Sequence, residues 1–186
     1  MKYLTALDDS CYQLWQLEVQ LRNLQELGEL PRFVGVILHH QPSPSEYARE
    51  LLARYPANLF AYAEPAQPAY KAVYKPLGVA RHLAAHPAHG ERVLLLDPDI
   101  IFHEPLDCRG FEQYAYHYLA DLAELVGYHA LRRVLSEAQV AELAATVGVS
   151  PAILKARTYP AGGGTYYLKN LDAAFCHKVA RDAERL

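Results

Sequence analysis

Through the first hundred residues, short apolar runs alternate with stretches of helical spacing. In Lys2 to Leu7, Tyr3, Thr5 and Leu7 alternate with Leu4 and Ala6, which predicts a strand. It breaks at Asp8-Asp9-Ser10, where Asp9 or Ser10 can cap a helix start. From Cys11 to Leu27, Leu14, Leu17, Leu21 and Leu24 keep helical spacing, and Gly28 is a natural stop. Arg32 to Leu38 predicts a second buried strand, closed by His39-His40. Pro42-Ser43-Pro44-Ser45 opens a helix to about Tyr55, and Asn58 to Tyr62 reads as a short third strand. After the connection Glu64 to Tyr70, Tyr74-Lys75-Pro76-Leu77-Gly78 leads into a helix through His82 to His86, ended by Pro87 and Gly90.

The aliphatic run Val93 to Leu96 then stops at Asp97-Pro98-Asp99, and apolar chain resumes at Ile100. Four apolar residues with no helical gap read as a strand buried on both faces. Beyond it, Phe111, Tyr114, Tyr118, Leu122 and Leu125 predict an amphipathic helix. Ser136 to Arg157 predicts a helical pair: Ser136 to Gln139 has a capping-box pattern, Gly148 turns the chain, and Ser150-Pro151 restarts a helix. A short apolar stretch, Thr165 to Leu168, precedes a last helix capped near Asn170 or Asp172. Strands and helices in alternation predict an α/β fold: a mostly parallel sheet with right-handed crossovers and helices on both faces.

Composition narrows this picture. A chain of 186 residues suits one domain with a real core, spanning residues 1–186. No window is apolar for the ~18 residues of a membrane span, and no secretory pattern follows Met1-Lys2. The expectation is a cytoplasmic protein with no membrane partner. Cys11, Cys108 and Cys176 are scattered, so reduced thiols are expected in place of a disulfide framework or zinc ribbon. A net charge of −3 argues against a protein that coats nucleic acid, because phosphate binding rests on clustered Lys and Arg.

Candidate chemistry centres on Asp97 and Asp99. Both stand at the carboxyl end of a buried strand, the edge where open α/β sheets bind ligands. Pro98 stiffens the turn between them. Carboxylates suit hard cations such as Mg2+, bound through one or two acids plus substrate phosphates. A strand followed by Asp-X-Asp resembles the metal-binding DxD signature of glycosyltransferases with the GT-A fold, a Rossmann-like fold. Further pieces fall in the order found in one family: Tyr3-Leu4-Thr5-Ala6, Tyr12-Gln13-Leu14-Trp15-Gln16, Tyr74-Lys75-Pro76, Leu95 to Phe102, and Gly162-Gly163-Gly164-Thr165-Tyr166-Tyr167-Leu168-Lys169-Asn170. They resemble the plant hydroxyproline O-arabinosyltransferases and the related peptidyl-serine galactosyltransferases.

This resemblance implies a metal-dependent hexosyl- or pentosyltransferase. It would take a nucleotide-sugar donor, a UDP-sugar, and a hydroxyl acceptor on a peptide, glycan or modified nucleobase, with Mn2+ or Mg2+. Thr5 and Ala6 would touch the base, and Lys75 the diphosphate or ribose. Asp97 would reach the ribose or metal, and Asp99 would hold the cation. Gly162, Gly163 and Gly164 would line the donor sugar and acceptor. His103 follows the acidic turn and is a candidate donor or acceptor contact. No catalytic base is identifiable. His82, His86 and His89 read as solvated helix-end histidines and not as a zinc site, since Pro87 interrupts their helix. An alternative of another class is a DNA-binding module, because Gln139 to Arg157 resembles a helix-turn-helix with Lys155 and Arg157 on its second helix. A viral DNA-modifying glycosyltransferase would combine both.

Overall fold

The computed structural model describes residues 1–64, 67–118, 128–156 and 165–185. Strands β1 (Lys2–Asp8), β2 (Phe33–His39), β3 (Leu59–Ala63), β4 (Arg92–Leu96), β5 (Tyr116–Tyr118) and β6 (Tyr166–Lys169) form, among the described residues, one six-stranded sheet in the order β3-β2-β1-β4-β6-β5. Strands β1 to β4 pair in parallel, whereas β6 runs antiparallel to both β4 and β5. The helices are α1 (Cys11–Glu26), α2 (Glu46–Arg54), α3 (Tyr74–Ala85), α4 (Tyr128–Val134), α5 (Glu137–Val147), α6 (Pro151–Ala156) and α7 (Ala173–Arg185).

The two-residue period of the strands sorts the core into two layers. Tyr3 and Leu7 of β1, Phe33 and Ile37 of β2, and Leu94 and Leu96 of β4 face α1 and α2, meeting Leu14, Leu17, Leu21, Leu24 and Leu51. Leu4 and Ala6, Val34 and Val36, and Val93 face the other way, onto Val79, Ala80 and Leu83 of α3 and Cys176 of α7. Each fully buried leucine contributes about 1.5–3 kcal/mol relative to exposure. Helices on both faces of a mostly parallel sheet are the Rossmann-like α/β arrangement that the alternating pattern predicts. Gly78 lets α3 come close to β1. A Cβ there would lie 2.9 Å from the Ala6 Cβ.

Two expectations change. The helix expected from Phe111 to Leu125 is instead a short turn, Phe111–Gln113, followed by edge strand β5; residues 119–127 lie outside the described ones. Phe111, Tyr114 and Tyr118 fit a helical spacing, but Tyr114, Tyr116 and Tyr118 also alternate, and pairing of β5 with β6 decides for the two-residue period. The histidines differ too, because His82 is fully buried. Its Nδ1 lies 3.1 Å from the Tyr62 hydroxyl and its Nε2 2.8 Å from His89 Nδ1, while His86 stacks on both rings. Burial, reinforced by His86 and His89, pushes the His82 pKa down from 6.5 to about 3.

The helical pair is present as α5 and α6. The Ser136–Gln139 capping box is formed, and Gly148 ends α5 with a left-handed φ of 78°. Val140 and Ala144 are buried, and Lys178 of α7 donates to the Val147 carbonyl at 2.8 Å. The hairpin therefore turns its apolar side inward, toward α7.

Candidate functional site

The carboxyl edge of the parallel strands opens into a cavity of about 660 Å3. Its floor is Ala6, Leu7 and Asp8 of β1, and its far side is Asp97, Pro98 and Asp99 beyond β4. These two strands are neighbours, with Thr5 opposite Leu96, so Asp8 and Asp97 emerge at the same edge. The start of α1 adds Ser10, Tyr12, Gln13 and Gln16, and the approach to α3 adds Lys71, Ala72, Tyr74 and Lys75. The start of α1 faces the cavity directly, whereas α3 continues a 3-10 turn whose N–H groups are bonded within it. The first N–H groups of α1 favour negative charge there.

Lys75 Nζ lies 2.7 Å from Asp97 Oδ1, with side-chain exposures of 24% and 38%. An ion pair this accessible adds about 0–1 kcal/mol of stability at most. Its consequence is positional, because it holds an ammonium and a carboxylate inside the cavity. Lys75 Nζ also lies 6.0 Å from the Tyr166 ring centroid. Asp99 is exposed at the rim.

The acidic turn is held from below by α1. Gln20, fully buried, donates through Nε2 to the Asp97 carbonyl at 2.9 Å and the Ile100 carbonyl at 3.2 Å. Its Oε1 accepts from Thr5 Oγ1 at 2.8 Å. One turn on, Asn23 accepts from the Phe102 N–H and donates to the Phe102 carbonyl, both at 2.9 Å. Two amides on one helix therefore fix the backbone on both sides of Asp99. Across the cavity, His40 donates through Nδ1 to the Glu64 carbonyl at 2.5 Å, which leaves Nε2 to accept from the Tyr74 hydroxyl at 2.6 Å. His40 thereby sets the direction of a ring that lines the cavity.

Of the predicted residues, Ala6, Lys75, Asp97 and Asp99 come together here. Thr5 does not reach the cavity. It is fully buried and spends its hydroxyl on Gln20, so its place is beneath the acidic turn. His103 is exposed and does not line the cavity. Gly162, Gly163 and Gly164 lie outside the described residues, as does Arg157. Lys155 is exposed on α6, which is shorter than two turns. Among the described residues, no three His, Cys, Asp or Glu side chains gather as a metal-binding group, and no helix is long and apolar enough to cross a membrane.

The sequence reading missed Asp8, Tyr12, Gln13, Lys71 and Gln20. Asp8 could have been found by the rule that found Asp97, since it also ends a buried strand. Gln20 carried a fainter signal, a polar residue between Leu17 and Leu21 on the apolar face of α1.

No protein-family model and no curated protein matches the chain. Among solved structures it is similar to the galactosyltransferase LgtC in complex with donor and acceptor sugar analogues. That similarity has 12% identity and a TM-score of 0.48, over 100% of this chain and 66% of that one. It is also similar to core-mannan synthase A from Aspergillus fumigatus in its Mn/GDP form. There the identity is 10% and the TM-score 0.42, over 99% of this chain and 65% of that one. The chain spans just under two thirds of the length of each. At such scores neither similarity bears on activity.

Proposed function

We propose that this chain is a glycosyltransferase of GT-A type that moves a sugar from a nucleoside-diphosphate donor, a UDP-sugar, to a hydroxyl acceptor. The observation that carries the reading is the cavity at the carboxyl edge, where Asp97, Asp99, Lys75 and the start of α1 converge. A diphosphate needs positive charge and N–H donors; Lys75 supplies the charge and the start of α1 the donors. The exposed Tyr12 ring lines the cavity and offers a face for a base or sugar.

The residues fit a divalent cation that is shared with the donor. Asp97 Oδ1 is engaged by Lys75, so the other oxygen of Asp97 and the exposed Asp99 carboxylate would hold the cation. Two carboxylates completed by phosphate oxygens are how Mg2+ and its relatives are usually held. When bound, Mn2+ or Mg2+ supplies charge neutralisation on the diphosphate. The chain's own part is electrostatic. Lys75 adds a fixed positive charge toward the departing diphosphate, where negative charge grows as the bond breaks. Gln20 and Asn23 keep the acidic turn in place, so little reorganisation is needed. In the transfer, the bond from the anomeric carbon to the diphosphate oxygen breaks, and its electron pair leaves on the diphosphate. The acceptor oxygen bonds to that carbon, and the hydroxyl proton is released.

The test is calorimetric titration with UDP, GDP, ADP and CDP, each in Mn2+ and in EDTA. UDP is expected to bind in Mn2+ and to lose that binding in EDTA. Silence from all four nucleotides overturns the reading.

A further inference from the structure

A second opening adjoins the cavity and differs from it in chemistry. It is a groove of about 580 Å3 between α7 and the β4-β6-β5 side of the sheet. Val79, Leu95 and Leu168 form its base, and Phe175 and Val179 of α7 form one wall. Phe175 and Val179 are 54% and 39% exposed, so the wall is apolar surface open to water. The groove and the cavity share Lys75, which closes one end of the groove next to the Tyr166 ring. Apart from Lys75, the polar side chains among the described residues of the lining are Tyr116, Tyr166 and the buried Cys176.

A free sugar presents hydroxyls all round and needs many hydrogen-bonding partners, whereas the described side chains of this lining are mostly apolar. A hydrocarbon or aryl body needs none. From this we infer that the groove holds the apolar body of the acceptor: an alcohol whose reactive hydroxyl is carried on an alkyl or aryl group. The body lies along Leu95, Leu168 and Val179, and the hydroxyl end reaches past Lys75 to the donor cavity. This rests on the donor reading above and adds the acceptor's chemical class to it.

The test uses the whole chain and two ligands with the same head, octyl glucoside (below its micelle concentration) and methyl glucoside. Each buried methylene tightens binding about fourfold, so burying four gives roughly two-hundredfold. Calorimetry should show octyl glucoside binding tighter than methyl glucoside by about that factor. The exposed-wall substitutions Phe175→Asp and Val179→Asp, checked for folding by circular dichroism, should reduce the preference at least tenfold. Equal binding of the two glucosides, or an octyl preference that both substitutions leave intact, overturns the inference. So does sedimentation showing a dimer that Val179→Asp disperses, because the groove would then seat a second copy. UDP is titrated separately. UDP binding without an octyl preference overturns only the groove, whereas an octyl preference without UDP binding overturns the acceptor role and the donor reading together.

Discussion

The buried His82 gives the fold an acid limit that can be calculated. His82 is fully enclosed, and its ring meets Tyr62, His86 and His89, with the Phe60 ring tilted against it and Lys2 adding positive charge beside His89. No carboxylate appears among the groups that shift its titration. Its pKa falls from 6.5 in the unfolded chain to about 3 in the fold. The unfolded state therefore binds the proton that the native state refuses, and stability is lost as pH falls below 6.5. At pH 5 this costs about 2 kcal/mol relative to pH 8, and near that pH the slope is about 1.4 kcal/mol per unit. Burial lowers the His89 pKa as well, so its contribution has the same sign. Urea unfolding at pH 8, 6 and 5 measures the loss, with His82→Gln as the control. Glutamine can accept from Tyr62 and donate to His89 but does not titrate. The native chain should lose about 2 kcal/mol more than the variant between pH 8 and 5. An equal loss in both would refute the reasoning, because carboxylates elsewhere affect the two chains alike.

Three further outcomes follow from the site. Asp99→Ala should abolish Mn2+-dependent UDP binding and leave the thermal midpoint within about 2 °C, since an exposed carboxylate contributes little to stability; normal UDP binding in this variant would move the metal site elsewhere. Gln20→Leu leaves the Thr5 hydroxyl and two carbonyls without their partner and should cost about 1–3 kcal/mol in urea unfolding. It should also weaken UDP binding, whereas a loss of stability with full UDP affinity would remove Gln20 from the positioning role. In a gel-shift assay at low salt, duplex DNA should not be retarded, because α6 is short and the chain carries a net charge of −3. Retardation that Lys155→Ala relieves would revive the helix-turn-helix reading.

The parallel half of the fold was legible because β1, β2 and β4 are runs of mostly buried residues and α1 keeps a stripe of leucines. Burial on both faces leaves little freedom in where such a strand begins. Asp97 and Asp99 were legible for the same reason, since acids that end a buried strand must emerge at its edge. Strand β5 was not, because three residues carry too little pattern and its tyrosines fit two periods at once. Only pairing with β6, distant in sequence, selects between them. His82 was misread because its neighbours Pro87 and Gly90 mark a helix end, and helix ends are usually wet. Here Phe60 and Tyr62 of β3 close over it, and that contact has no local trace. Gln20 and Asn23 look like ordinary polar positions of an amphipathic helix until the loop they hold is seen beside them.

The order of the chain divides the two openings in time. Every described residue that lines the carboxyl-edge cavity lies between Ala6 and Asp99, within consecutive strand–helix units. The apolar groove needs β6 and α7, and Leu95 meets its partner Tyr166 only across a long intervening segment. β1 and β2 pair across a much shorter stretch than β4 and β6 and so form first, while β1 joins β4 across a stretch at least as long as the one that β6 closes. A chain emerging in sequence order can therefore shape the carboxyl-edge cavity while its apolar groove is still unbuilt. Amide exchange should show β1 and β2 protected before β6.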